Sequence, residues 1–208
     1  MTLSASEVNE MKQVRPVDTD GVLPIFHQRW SARAFADRDV SGADLKRVFE
    51  AARWAASSGN EQPWRFVVGR RGSATHEKIA AALAGFNQAW APKAPVLILG
   101  TARRVLEKNG SPNTYAFYDL GAASSYLTLQ AAALGLTTHQ MAGFDNEKAR
   151  TLLGIPEEYL FGSVIALGYQ DEPETLANET LIQRETAPRE RKSLSELVFA
   201  EWGQPFAL

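Results

Sequence analysis

One segment limits the options for this chain more than any other: TYAFYDLGAASSYLTLQAAAL, residues 114–134. Its spacing predicts a single long helix from Thr114 to Leu134, with Gly135 suited to end it in a left-handed conformation. Its middle, Gly121, Ala122, Ala123, Ser124 and Ser125, is small enough for another helix backbone to approach closely. A helix with so little polar face has to be buried nearly all round. In a chain of 208 residues this predicts a place both in the core and at a subunit interface. The alternative is the central helix of a monomer.

The other elements arrange themselves around that helix. VSGADLKRVFEAARWAAS (40–57) reads as a helix capped by Ser41, with Asp44 three residues on and an apolar stripe of Leu45, Val48, Phe49 and Ala52. Ser57, Ser58 and Gly59 are expected to end it, with Gly59 at the left-handed position past the last turn. Pro63 disfavours a helical Gln62, and WRFVV (64–68) then reads as a strand with Trp64, Phe66 and Val68 on one face. A second helix is expected over about 74–90. PVLILG (95–100) and SVIALGY (163–169) are continuous apolar runs of the kind that form strands buried on both faces. Asp145 caps a short helix, NEKARTLL, stopped by Gly154 and Pro156. Residues 172–191 are polar and read as a surface wrap, and Ser193 with Glu196 forms a capping box for a last helix, LSELVFAEW. Helices and strands alternate too loosely for a doubly wound sheet. The expected class is α+β, a mixed central sheet flanked by helices on both faces.

The chain carries a net charge of −2, so no bulk attraction to nucleic acid or anionic lipid is expected. It has no cysteine, which removes disulfides, thiolate metal sites and a cysteine nucleophile. No apolar run approaches the roughly 20 residues of a membrane span, and the first residues lack a basic stretch followed by an apolar one. These features predict a cytoplasmic protein with a flexible arm over 1–20 and one domain over 21–208, and no membrane or nucleic-acid partner.

Absent motifs narrow the chemistry. There is no G-x-G-x-x-G, no phosphate loop and no G-x-S-x-G. His27, His76 and His139 are scattered and none belongs to a zinc-binding pattern, so no metal site is expected. His139, in TTHQMAGFD, is expected in a loop after the long helix. No nucleophile–base pair is suggested.

Three polar stretches remain. In RWSAR (29–33), an extended backbone would point Arg29, Ser31 and Arg33 the same way and make a small anion cradle; a solvated basic edge is the other reading. SSGNEQPW (57–64) gathers Ser57, Ser58, Asn60 and Gln62, whose donors and acceptors suit a heterocycle's edge, or simply cap a helix end. APRERK places Arg189 and Arg191 two apart among glutamates, by itself an ordinary surface stretch.

Taken in order and spacing, RWSARAF, AARWAASSGNEQPWRFVV, YDLGAASSYLTLQAAALGL, GFD and PRERKSLSE resemble the flavin-dependent nitroreductase family over about residues 20–200. The pair R-x-S-x-R-x-F and S-S-x-N-x-Q-P-W is the most specific part. The resemblance implies a nitroreductase-like α+β fold and an intertwined homodimer that binds one FMN per active site at the subunit interface. It implies an oxidoreductase in which NADH or NADPH reduces FMN and the flavin then reduces a nitroaromatic, a quinone or a similar small acceptor, by a ping-pong cycle with no catalytic side chain. By the same resemblance, Arg29, Ser31 and Arg33 look like phosphate and ribityl contacts, and Arg189 and Arg191 like a basic pair closing on that phosphate. Ser57, Ser58, Asn60 and Gln62 fall where relatives contact the ring and its surroundings, Asn87 near its pyrimidine edge, and Met141, Ala142 and Gly143 in the loop near N5. Trp30 stands where a second basic residue is common, and Ala142 where some relatives carry glutamate. A different flavin chemistry on this fold, or a flavin carrier without turnover, are the alternatives the sequence leaves open.

Overall fold

The apolar runs become the centre of the sheet. The structure, a computed structural model, describes residues 21–208, so the expected arm lies outside the described residues. Strands β1 (Trp64–Arg70), β2 (Val96–Arg103), β3 (Thr137–Met141) and β4 (Tyr159–Gly168) pair in the order β1-β2-β4-β3. All three ladders are antiparallel, so no parallel pairing of a mixed sheet occurs among the described residues. Side chains alternate between the two faces. Trp64, Phe66, Ile98, Ala102, Ile165 and Leu167 pack into one cluster, while Val67, Leu97, Leu99, Val164 and Ala166 pack into the other. Because both faces are covered, the central strands read as unbroken apolar runs.

The helices are α1 (Pro24–Gln28), α2 (Gly42–Arg53), α3 (Ala74–Ala82), α4 (Asn87–Trp90), α5 (Ala116–Ala133), α6 (Asn146–Leu153) and α7 (Glu179–Thr186). Leu45, Val48 and Ala52 of α2 and Leu120, Ala123 and Leu127 of α5 cover the first face. Ile79 of α3, Trp90 of α4, Ala149 of α6 and Leu181 of α7 cover the second. The expected caps form: the Asp44 amide donates to Ser41 Oγ at 3.0 Å, the Lys148 amide to Asp145 Oδ1 at 3.0 Å, and Gly154 closes α6 at φ 65°. The α+β class and the flanking helices are as expected.

Five local expectations change. Helix α2 ends at Arg53, four residues early, because side chains downstream offer the backbone other partners. Gln62 N–H donates to Ser57 Oγ at 3.1 Å, and Gly59, at φ 58°, sits inside a tight turn rather than past the end of α2. The helix expected over 74–90 splits at Gly85 (φ 58°), where Ala84 N–H donates to Gly143 O at 3.0 Å instead of continuing the helix. TTHQM is a strand, not a loop, because the free edge of β4 takes it up from Thr137 to Met141. Residues 172–191 contain α7, capped by Asn178, with Leu181 and Glu185 fully buried, so this stretch is not a mere surface wrap. The Ser193–Glu196 capping box forms, but only one turn follows before a hairpin of β5 (Phe199–Glu201) and β6 (Gln204–Pro205). Leu194 and Leu197 are 61% and 58% exposed, so that turn has no packed face to propagate a helix.

Within one protomer, helix α5 is buried on one side only. Leu120, Ala123, Leu127 and Ala131 are buried, whereas Phe117, Tyr118, Gly121, Ser125 and Tyr126 form an exposed stripe. Ala123, the centre of the small-residue run, faces the protomer's own core.

Candidate functional site

Burial alternates along 31–34 as the extended reading expects, with Ala32 and Ala34 buried and Ser31 and Arg33 half-buried. Beyond α1 the chain leaves the helical region at Arg29 (φ −69°, ψ 123°) and runs outside the four-stranded sheet. Ala32 and Ala34 point inward and are buried, which turns Arg29, Ser31 and Arg33 the other way. The backbone beyond β4 pairs with the end of the segment, the Asp171 amide donating to Ala34 O at 3.0 Å, and side chains supply further hydrogen bonds. The Arg33 amide donates to Glu185 Oε1 and Oε2 at 2.9 and 3.0 Å, and the Ala34 amide to Oε1 at 3.2 Å. The Ala32 carbonyl accepts from His139 Nδ1 at 3.1 Å. The indole of Trp30 donates to Gln170 Oε1 at 3.3 Å.

The C-terminal arginines reach this segment, with Arg189 Nη1 donating to Arg29 O at 3.2 Å. Burial lowers the Arg29 pKa, and Arg191 and Arg189 lower it further by like-charge repulsion. Arg189 is depressed by burial and then by Arg191. Arg33 differs: burial lowers its pKa, but Glu185, 3.6 Å away, opposes the shift. Arg33 therefore has a carboxylate partner, while half-buried Arg29 and Arg189 lie near the like charge of exposed Arg191. Such a donor set is matched by an anion with several acceptor oxygens.

His139 lies against this segment, its ring 4.6 Å from that of Trp90. Burial first, and then Arg33, push its pKa down to about 4, so it is neutral at pH 7. A carbonyl only accepts, so Nδ1 carries the proton. The folded value lies below the ordinary 6.5, so the associated stability is complete above pH 6.5 and is lost as pH falls toward 4. We expect about 3 kcal/mol of acid-induced destabilisation from this group. Denaturant titrations between pH 7 and pH 4 on wild type and His139→Asn measure it; identical pH slopes would remove the assignment.

Next along β3, Met141 is buried, and the loop of Ala142 and Gly143 follows. Asn87 Nδ2 donates to Gly143 O at 3.0 Å. A β-carbon at Gly143 would stand 2.8 Å from that nitrogen, so the pairing requires glycine. Asn87 thus holds the loop through its amide nitrogen, leaving Oδ1 for other contacts.

The 57–62 loop is built differently. The Ser58 amide donates to both Asp119 oxygens at 3.3 and 3.2 Å, fixing the loop to α5. Burial raises the Asp119 pKa and the Ser58 hydrogen bond lowers it. Asn60 and Gln62 adopt positive φ (57° and 45°), and Gln62 Nε2 donates to Asn60 Oδ1 at 3.1 Å.

The structure therefore gathers one group: Arg29, Ser31, Arg33, Arg189 and Arg191, with His139 and, further along β3, Met141–Gly143 and Asn87. It does not bring Ser57, Ser58, Asn60 and Gln62 to them within one chain. The strand after that loop starts with Trp64 opposite Ala102, which pairs with Leu160 at the start of β4. His139 pairs with Ala166, and Gln170 lies beyond the end of β4. Along β4 the loop is about 20–30 Å from the arginine segment and about 13 Å from Met141, which pairs with Val164, at the rise of an extended strand. Sequence reasoning missed Glu185 and Asp119. The signal for Glu185 was its position four residues after Leu181, on the buried stripe of a helix; for Asp119 it was a lone acid in a run otherwise free of charge.

Comparison with known proteins agrees with this architecture. A sequence model of the Nitroreductase family matches residues 27–89 and 83–169. A Thermus thermophilus protein named NADH dehydrogenase is 31% identical over 176 residues, covering 70% of this chain and 84% of its own. A crystal structure described as an oxidoreductase containing FMN superposes with a TM-score of 0.83 at 31% identity, covering 89% of this chain and 94% of its own. An FMN-dependent nitroreductase from Clostridium difficile R20291 superposes at 0.58 with 28% identity, covering 69% of this chain and 84% of its own. With the family match spanning most of the chain and the fold shared with its members, this chain belongs to the nitroreductase family.

Proposed function

We propose that this protein is an FMN-dependent NAD(P)H oxidoreductase in which Arg29, Arg189 and Arg191 hold the cofactor's phosphate. The observation that carries the reading is the contact of Arg189 Nη1 with Arg29 O at 3.2 Å, which brings the C-terminal basic stretch of Arg189 and exposed Arg191 against the segment of half-buried Arg29. The FMN in structural relatives and the NADH in the Thermus relative's name support the cofactor and the donor. Bound FMN would supply the redox chemistry, accepting hydride from NADH or NADPH and passing electrons to a nitroaromatic, a quinone or a similar small acceptor in alternation.

The chain's own residues bind and orient. Arg33, already partnered by Glu185, and Ser31 line the same side of the segment as Arg29 and suit the phosphate and ribityl chain. The Met141–Gly143 loop, held by Asn87, presents backbone to the ring. Ser57, Ser58, Asn60 and Gln62 lie too far from the arginine segment to share its ligand within one chain, so a second copy supplies them in a homodimer. The exposed stripe of Phe117, Tyr118, Gly121 and Ser125 adjoins Asp119, which anchors that loop, and supports this assembly.

An absorption spectrum followed by anaerobic NADH or NADPH tests the reading. The purified protein should carry the visible bands of flavin, the nucleotide should bleach them, and a quinone should restore them. Protein that fails to take up FMN, or a bound flavin that neither nucleotide bleaches, would overturn it.

A further inference from the structure

The segment that carries Arg29, Ser31 and Arg33 is extended but not part of the four-stranded sheet. Isolated extended backbone is expensive to hold still, because its amides and carbonyls want partners and its φ and ψ want freedom. The chain beyond β4 pairs only its end, where the Asp171 amide donates to Ala34 O at 3.0 Å, and two side chains from distant elements hold 32–34. Glu185, on α7 and fully buried, accepts from the Arg33 and Ala34 amides and stands 3.6 Å from the Arg33 guanidinium. His139, on β3, takes the Ala32 carbonyl from the other direction.

A buried carboxylate is an unexpected neighbour for a phosphate site, since its charge repels the ligand it helps to bind. The geometry resolves the conflict. Both Glu185 oxygens are taken up by amides of the segment, and Oε2 also faces the Arg33 guanidinium. The negative charge is therefore directed at the backbone of 33–34 and at one arginine, Arg33, rather than at Arg29. We propose that Glu185 is a positioning residue for phosphate recognition: it holds the 31–34 backbone so that the alternate side chains Arg29, Ser31 and Arg33 share one face. His139 is the complementary clamp on the carbonyl side.

This inference rests on the phosphate assignment above, and the experiment separates the two. FMN and riboflavin differ only in the phosphate, so the ratio of their affinities reports the cradle and not the ring pocket. In the wild-type full-length chain freed of flavin, FMN should bind far more tightly than riboflavin, as followed by quenching of flavin fluorescence. Glu185→Gln keeps the shape but turns one acceptor into a donor facing an amide or a guanidinium. It should weaken FMN binding by about tenfold to a hundredfold, the range of one lost charge-assisted hydrogen bond, while riboflavin binding stays within about twofold. If Glu185→Gln does not accumulate in folded form, the same pair of titrations on Glu185→Asp, which withdraws the carboxylate by one methylene, should show the same selective loss. An equal loss for FMN and riboflavin, or no loss for FMN, would reduce Glu185 to a general structural role and overturn the inference. A wild-type chain that does not prefer FMN to riboflavin would overturn the phosphate assignment itself.

Discussion

Purified Arg29→Ala/Arg191→Ala protein is expected to be nearly colourless. Each guanidinium that meets a phosphate contributes about 1.5–3 kcal/mol through charge-assisted hydrogen bonds, so losing two lowers FMN affinity by roughly a hundredfold or more. Flavin content per protomer, read by absorbance after denaturation, measures this. The same variant carries a second expectation that separates recognition from folding. In the flavin-free protein Arg29 and Arg191 repel each other and both crowd Arg189, so removing them relieves repulsion. The apo variant should therefore melt no lower than apo wild type. A colourless protein that also unfolds early would mean that these arginines are structural, and full flavin content would remove the phosphate assignment.

Ala123→Asp is expected to unfold the protomer rather than to separate subunits. Ala123 is fully buried in the cluster shared by α2, α5 and the sheet. A carboxylate there has no partner, and burying it costs several kcal/mol, comparable with the roughly 5–15 kcal/mol that holds a whole domain together. Circular dichroism should show loss of the cooperative transition. The exposed stripe of the same helix gives the opposite outcome. Ser125→Asp should leave the protomer folded and shift the protein from dimer to monomer in sedimentation velocity. A folded, stable Ala123→Asp protein would contradict the burial of that face. An intact Ser125→Asp dimer would place the interface elsewhere.

These two variants also show where sequence reasoning reaches its limit. The small residues of 121–125 correctly mark close approach, but the neighbour Ala123 meets is α2 and not a second copy. Composition cannot tell a tight intramolecular contact from an intermolecular one; only the direction of each residue around the helix can. Strands β1, β2 and β4 were legible because apolar runs and alternation are local signals. Strand β3 was not, because its five residues depend on the free edge of β4 more than on their own pattern. The end of α2 was misjudged because Ser57 and Asp119 draw the backbone away from the helix, and Asp119 lies far along the chain. Spacing and resemblance single out the arginines proposed for the cradle. Glu185 could not, since its stretch looks polar and solvated until the fold turns it inward.

The assembly of the cradle from both ends of the chain sets an order on biosynthesis. The four-stranded sheet is complete once Gly168 has been made, but Glu185, Arg189 and Arg191 come afterwards. A nascent chain paused at Gly168 has every strand of the sheet, while Leu176 and Leu181 of the second face and the carboxylate clamp of the 29–34 segment are still to come. Closure of the proposed cradle is thus a late event, coupled to the docking of α7 that also completes the second face of the core.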